Sequence, residues 1–295
     1  MIRYSRKGEW LELPLSAAQA GLPADDAAAV VLPPAFAKKL SDSGGIRMTG
    51  GKMRLRLFPE ETDRYADEWS DQWQDVEVLY EDDFCLVANK PAGMAVHPSS
   101  REQRGTLAHA VAGHYACNGE RCKVRHIHRL DEHTSGPVLY AKNELAQFAL
   151  DEAMRRKAIG RIYIAFVGGL VREQSGIVDA PIGKDRHHGS RRRVSQSGDP
   201  ALTHFETVES LHGATLMKLR LETGRTHQIR VHMSHLGHPL LGDVLYGGSD
   251  KLIGRQALHG ASLVFGHPFT GEEITVEAKW PHDLEELYRK LRRDK

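Results

Sequence analysis

Cysteine is scarce in this chain of 295 residues: Cys85, Cys117 and Cys122 are all there is. An odd, small number argues against a disulfide framework, and Cys117 and Cys122 are too few and wrongly spaced for a zinc knuckle. Cys85 stands in an apolar, strand-like run, Cys85-Leu86-Val87-Ala88. Long hydrophobic runs are missing as well. No stretch approaches the roughly 20 apolar residues that span a bilayer, and Met1-Ile2-Arg3-Tyr4-Ser5 lacks the apolar core of a signal peptide. The expectation is a cytoplasmic protein without membrane association. Excess charge is the third absence: 40 Lys and Arg face 39 Asp and Glu, a net +1. Composition alone therefore announces no nucleic-acid binder.

What is present is unevenly placed. Residues 59–83 are acidic, while base gathers in Lys184-Asp185-Arg186-His187-His188-Gly189-Ser190-Arg191-Arg192-Arg193 and in the last turns of the chain. A local basic patch binds phosphate while the whole protein stays near neutral. The length is too much for one small core and points to a large domain with an appendage. No large apolar stripe stands out in the pattern, so a monomer is expected.

The first 70 residues read as a small unit. Glu9-Trp10-Leu11-Glu12-Leu13 alternates like a strand, Ala35–Leu40 reads as a short helix, and Ile46–Leu57 resembles a hairpin turning at Gly50-Gly51. Its outward Arg and Lys residues suit a phosphate-facing surface or, equally, a solvated strand face. Residues 59–75 read as a linker with one amphipathic helical turn carrying Trp69 and Trp73. From residue 76 to 295 the signals are dense: strands at 76–80 and 84–90, a helix from Leu145 to Arg156, a hairpin over 204–222 and an amphipathic helix from Leu284 to Arg293. The fold class is α+β with a mostly antiparallel sheet.

Polar residues crowd Arg125-His126-Ile127-His128-Arg129-Leu130-Asp131-Glu132-His133-Thr134-Ser135-Gly136, which runs straight into the apolar strand Val138–Ala141. Thr-Ser-Gly after a carboxylate is the composition of a tight loop that fixes a side chain's direction. By itself such an Asp also fits an ordinary turn. His126, His128 and His133 near it invite a metal reading, but no further stretch with ligand spacing accompanies them.

His128-Arg129-Leu130-Asp131, with Thr134-Ser135-Gly136 and Ala141-Lys142, resembles the signature of the RluA family of pseudouridine synthases. Three more stretches match in the same order. They are Asn89-Lys90-Pro91-Ala92-Gly93 with His97-Pro98, then Arg161-Ile162-Tyr163-Ile164-Ala165-Phe166-Val167-Gly168-Gly169. The third is Thr223-Gly224-Arg225-Thr226-His227-Gln228-Ile229-Arg230-Val231-His232, with Gly237-His238-Pro239, Gly242-Asp243, Tyr246 and Gly247. The match covers about residues 76–280.

The resemblance implies a pseudouridine synthase fold and an enzyme that isomerises uridine within ribosomal or transfer RNA by flipping the base. Isomerisation gains and loses no atom, so neither cofactor nor metal is required. Asp131 matches the family's carboxylate, which attacks C1′ or removes the 2′ proton. Arg230 matches its partner, with Arg225 the substitute in a shifted register; the alternative for Arg230 is a structural salt bridge on a strand. Tyr163 matches the active-site tyrosine, or is an ordinary half-buried strand residue. His128, Arg129 and Thr134 flank Asp131 as substrate-binding candidates. Lys184, Arg186, Arg191, Arg192 and Arg193 are candidates for gripping flanking phosphates. Residues 36–58 resemble the end of an S4-like RNA-binding domain, without the paired helices that lead one. Two other classes stay open from the residues alone: an RNA-binding scaffold without turnover, and a metal-dependent hydrolase built on His126 and His128.

Overall fold

A computed structural model describes residues 3–62 and 75–293. Residues 63–74, which include Trp69 and Trp73 of the expected linker helix, lie outside the described residues. The N-terminal unit runs β1 (Ser5–Lys7), β2 (Trp10–Pro14), α1 (Ala24–Ala29), α2 (Pro34–Asp42), β3 (Ile46–Thr49) and β4 (Lys52–Leu55). Its strands form one antiparallel sheet in the order β1-β2-β4-β3, and the hairpin turns at Gly50 and Gly51, both at positive φ. Two short helices precede that hairpin, where the sequence signals only α2.

Three of the hairpin's four cations already have partners. Arg54 meets Glu12 at 3.0 Å, Arg56 meets Glu9 at 2.9 Å, and the Arg47 guanidinium lies 4.4 Å from the Trp10 ring centre. Leu11, Leu13, Met53 and Leu55 point the other way, into a core shared with Phe84, Cys85, Val87 and Leu139.

The rest of the chain continues with β5 (Glu77–Glu81), β6 (Cys85–Lys90), α3 (Leu107–Cys117), β7 (Arg125–His126), β8 (Gly136–Ala141) and α4 (Glu144–Arg155). Next come β9 (Gly160–Gly168), β10 (Ser175–Asp179), β11 (Ile182–Lys184), β12 (Arg192–Val194), β13 (Leu202–Leu211), β14 (Ala214–Leu221) and α5 (Gln228–His235). After a single 3-10 turn at Val244–Tyr246, β15 (Leu258–Gly266), β16 (Glu273–Glu277) and α6 (His282–Arg293) complete it. A four-stranded sheet, β5-β6-β8-β7, and a six-stranded one, β10-β13-β14-β9-β15-β16, are antiparallel throughout.

The alternation in β14 explains how the larger sheet is covered. Met217, Leu219 and Leu221 share a core with Ile229 and Met233 of α5, whereas Ala214 and Leu216 pack with Leu284, Leu287 and Leu291 of α6. The two helices thus cover opposite faces. No described helix is long and apolar enough to cross a membrane.

The two large sheets meet where β8 begins. Ser135 forms an isolated bridge to His259, and Ser135 Oγ lies 2.9 Å from His259 Nδ1. Gly136 (φ +126°) passes so close to β15 that an added Cβ would sit 2.4 Å from the Gly260 carbonyl oxygen. Only glycine fits that crossing, which sets the exit of the Asp131 loop. Gly136→Ala should cost about 3 kcal/mol in backbone strain and displaced backbone, read as a lower urea midpoint; a midpoint unchanged from wild type would show that the crossing tolerates a side chain.

Candidate active site

The junction of the sheets opens into a cleft of ≈ 750 Å³, a volume that suits a small ligand or one extruded nucleoside. Three elements bring the expected residues to it. Asp131 comes from the loop between β7 and β8, Tyr163 from the middle of β9, and Arg230 from the first turn of α5. His128, Arg129, Thr134 and Arg225 also line it. Arg230 is therefore on a helix, and the strand alternative does not hold.

Arg230 is held from three sides. Its Nε and one terminal nitrogen donate to Asp243 at 2.7 and 2.9 Å, and its other terminal nitrogen donates to Asp131 Oδ2 at 3.1 Å. The Tyr246 ring centre lies 4.9 Å from the guanidinium carbon. The Asp243 side chain is 1% exposed, that of Arg230 9% and that of Asp131 24%. Burial alone would pull the Arg230 pKa down, but the hydrogen bonds and charges of Asp243 and Asp131 outweigh it and raise it. One permanent cation thus serves two carboxylates: Asp243 fixes its plane, and Asp131 receives its remaining face.

A second set of contacts steadies the same corner. The Arg192 backbone N–H donates to the Tyr246 hydroxyl at 2.9 Å, and that hydroxyl lies 2.8 Å from His227 Nδ1. One proton lies in that hydroxyl–Nδ1 hydrogen bond, and the ring's other nitrogen, Nε2, faces Asp131 Oδ2 at 4.0 Å. Burial lowers the His227 pKa, against the pull of Asp131, so the ring is neutral at neutral pH. His227 adopts φ +59°, a left-handed conformation costly for a side-chain-bearing residue and commonest where surrounding contacts over-determine it.

Beneath the Asp131 loop lies Lys90, wholly buried. Its ammonium donates to the carbonyls of Pro91, Met94 and Glu132 at 2.8, 2.7 and 2.8 Å. Burial pulls it down to about 7, with the Asp131 charge acting the other way. Three carbonyl acceptors call for three N–H donors, which only the ammonium provides. Lys90→Met should leave these carbonyls unmet, lower stability by roughly 2–4 kcal/mol and slow turnover by loosening the loop. Thermal melts beside single-turnover rates check both, and a variant with wild-type stability and rate would show that the tripod is dispensable.

His128 is buried, and burial drives its pKa down to about 3, so it stays neutral. Its Nε2 accepts from the Leu139 N–H at 3.3 Å, beneath the loop. Thr134 is also buried; its hydroxyl lies 3.3 Å from Gln256 Nε2. Tyr163 is 6% exposed within an apolar cluster, and burial raises its pKa. Arg129 and Arg225 are exposed at the rim, Arg225 donating to the Pro200 carbonyl at 3.0 Å. Lys184, Arg186, Arg191, Arg192 and Arg193 do not line the cleft; they ride on the β11–β12 hairpin, joined to it through Arg192 and Tyr246.

Sequence reasoning left Lys90, His227, Asp243 and Tyr246 without roles, although all four stand in stretches that match the family. Their signal was their place in those motifs; the contacts that give them work are not local. Arg161, also on β9, was missed as well, and its signal was a charge inside a strand of apolar residues. Among the described residues no three His, Cys, Asp or Glu side chains converge at metal-binding distance.

A carboxylate, a cation fixed against it and a buried tyrosine in a nucleoside-sized cleft form a set suited to rearranging a glycosidic bond. The family model described as RNA pseudouridylate synthase matches residues 84–235, the span that contains Asp131, Tyr163 and Arg230. A Bacillus subtilis protein named an uncharacterized RNA pseudouridine synthase, YhcT, is 47% identical over 79% of this chain and 78% of its own length. The ribosomal large subunit pseudouridine synthase D of Vibrio vulnificus is 42% identical over 77% of this chain and 74% of its own. Among solved structures, the human RNA pseudouridylate synthase domain containing 1 is similar with a TM-score of 0.61 and 26% identity. It covers 72% of this chain and 87% of its own. The motifs lie together around one cleft, the family model spans that cleft, and relatives match across most of their length: the chain belongs to the RNA pseudouridylate synthase family.

Proposed function

We propose that this cleft isomerises uridine in large-subunit ribosomal RNA, with Asp131, Arg230 and Tyr163 as its catalytic residues. The observation that carries the reading is the single Arg230 guanidinium shared between Asp131 and buried Asp243. Asp131 attacks C1′ or removes the 2′ proton, and Arg230, donating to Oδ2 at 3.1 Å, holds and aims it. Tyr163 offers its ring face to the uracil and its hydroxyl to the C5 proton that must leave. The ribosomal substrate is drawn from the Vibrio vulnificus relative's activity.

A stacked uridine reaches the cleft only when flipped, at a cost of a few kcal/mol. Exposed Arg129 and Arg225 at the rim, with Lys184, Arg186, Arg191, Arg192 and Arg193 on the hairpin, supply the phosphate contacts that offset it. His128 and Thr134 shape the loop floor under the ribose. We assign catalysis to residues 76–295 as a domain, and read residues 1–70 as a small N-terminal domain whose core continues into it. The enzyme is read as a cytoplasmic monomer.

Tritium release from C5 tests the substrate. Purified protein is given 5-tritiated transcripts of large-subunit ribosomal RNA and of transfer RNA. Release from the ribosomal transcript alone is expected; release only from transfer RNA would redirect the assignment.

A further inference from the structure

Among the described residues, Arg161 is a cation without a counter-ion. Its side chain projects from β9 into the cleft wall, and the residue is only 7% exposed. No hydrogen bond or ion pair ties it to any described residue, and its Nε is buried with no partner. The other well-buried Arg and Lys side chains of the core are all matched: Arg230 by two carboxylates, Lys142 by Glu81 at 2.8 Å, Lys90 by three carbonyls. Burying an unmatched charge is costly, and it persists where a ligand completes the site.

We infer that Arg161 binds a carbonyl oxygen of the target uracil and stabilises the detached base during the reaction. The inference rests on the proposed function of the cleft. Arg161 and Tyr163 are two residues apart on one strand, so both side chains face the same way. A base stacked on Tyr163 then brings an edge toward the guanidinium. Arg161, Tyr163 and His128 line the same cleft, and the Arg161 charge bears on both of the others. A phosphate is a poor fit for so buried a cation, since the RNA backbone stays at the rim with Arg129 and Arg225.

The chemistry needs a cation at this place. When C1′–N1 breaks, the bonding pair stays on N1 and spreads to O2 and O4 of uracil. C1′ is meanwhile taken up by the Asp131 carboxylate, or joined by a double bond to C2′ after the 2′ proton leaves. The base turns and C5 bonds to C1′ as the ester bond to Asp131 breaks or, in the other branch, as C2′ takes its proton back; the C5 proton then departs to solvent and N1 takes one up. No electron is gained or lost overall. Between the two bonds the base is an anion, and a preorganised donor at its carbonyl lowers the barrier to forming it. Room for that donor comes from Gly224: a Cβ there would lie 2.8 Å from a terminal nitrogen of Arg161.

Single-turnover rates with Arg161→Met, Arg161→Lys and Gly224→Ala test this on RNA whose target is uridine, 2-thiouridine or 4-thiouridine. Sulfur is the weaker acceptor. Wild type should be slowed by one of the two thio substitutions, which identifies the carbonyl. Arg161→Met should lose about 10²–10³ in rate on uridine, with KM changed less than about threefold and melting temperature held or raised. It should also lose the oxygen-over-sulfur preference, because the contact is gone. Arg161→Lys should recover part of the rate. Gly224→Ala, which pushes the guanidinium aside without removing it, should lose about tenfold and part of the preference.

Arg161→Met with a near-wild-type rate, or with the oxygen-over-sulfur preference intact, would overturn the inference while leaving the enzyme's activity established. A wild-type protein that converts no uridine would overturn the functional reading and this inference together.

Discussion

Asp131→Asn should reduce single-turnover conversion of uridine by at least about 10³-fold. RNA affinity should stay within about threefold and the melting temperature at or above that of wild type. The substitution keeps the shape and an oxygen that accepts from Arg230 at the 3.1 Å position, but removes the negative charge that either mechanism requires. Stability is spared for a specific reason. Arg230 keeps its bidentate partner Asp243, so the buried corner changes from one cation against two anions to one against one. Comparable loss of binding and turnover would instead mean that Asp131 organises the RNA surface.

The larger effect on folding is expected from Asp243→Ala. It removes both hydrogen bonds that fix the Arg230 plane and leaves a guanidinium, 9% exposed, facing a methyl group. Breaking a buried pair from one side costs about 3–5 kcal/mol, which in a protein of this size lowers the melting temperature by roughly 10 °C. Turnover should fall as well, since the freed Arg230 no longer presents one fixed nitrogen to Asp131. Asp243→Asn, which preserves one acceptor, should lie between. A stability loss below about 1 kcal/mol in Asp243→Ala would show that Tyr246 and Asp131 alone hold Arg230.

These two carboxylates also mark the limit of what the chain discloses before it is folded. The motif around Asp131 and the strands β6, β8, β13 and β14 are legible from local composition and alternation, and so are α2, α4 and α6 from their spacing; β9 came only through the family resemblance. The Arg230–Asp131 pairing, across 99 residues, came only through the family resemblance, and the sharing of that cation with Asp243, 13 residues on, did not come at all. Nothing in the pattern ties those positions together.

Helix α5 was obscured for a related reason. Ile229, Val231 and Met233 alternate with polar residues as in a strand, which suits the salt-bridge-on-a-strand alternative for Arg230. Yet every residue from Gln228 to Met233 is buried: Ile229 and Met233 pack on the larger sheet, Val231 on Ile182 and Tyr246, and Arg230 reaches its carboxylates. A helix enclosed on all sides carries no amphipathic signature. Helix α3, buried along most of its length, left no signal for the same cause. Of the N-terminal hairpin's cations, open to two readings in the sequence, Arg54 and Arg56 meet the carboxylates of Glu12 and Glu9, and Arg47 lies over the Trp10 ring.

If the Asp131 cleft forms pseudouridine in RNA, loss of its carboxylate must erase that product at the enzyme's own sites. The most direct test is chemical mapping of pseudouridine across total RNA, comparing cells with the wild-type protein against cells carrying only Asp131→Ala. The expected result is the loss of one or a few sites in large-subunit ribosomal RNA, with every other site unchanged. An identical map in both cells, with the protein present at equal level and no second enzyme covering the sites, would contradict it.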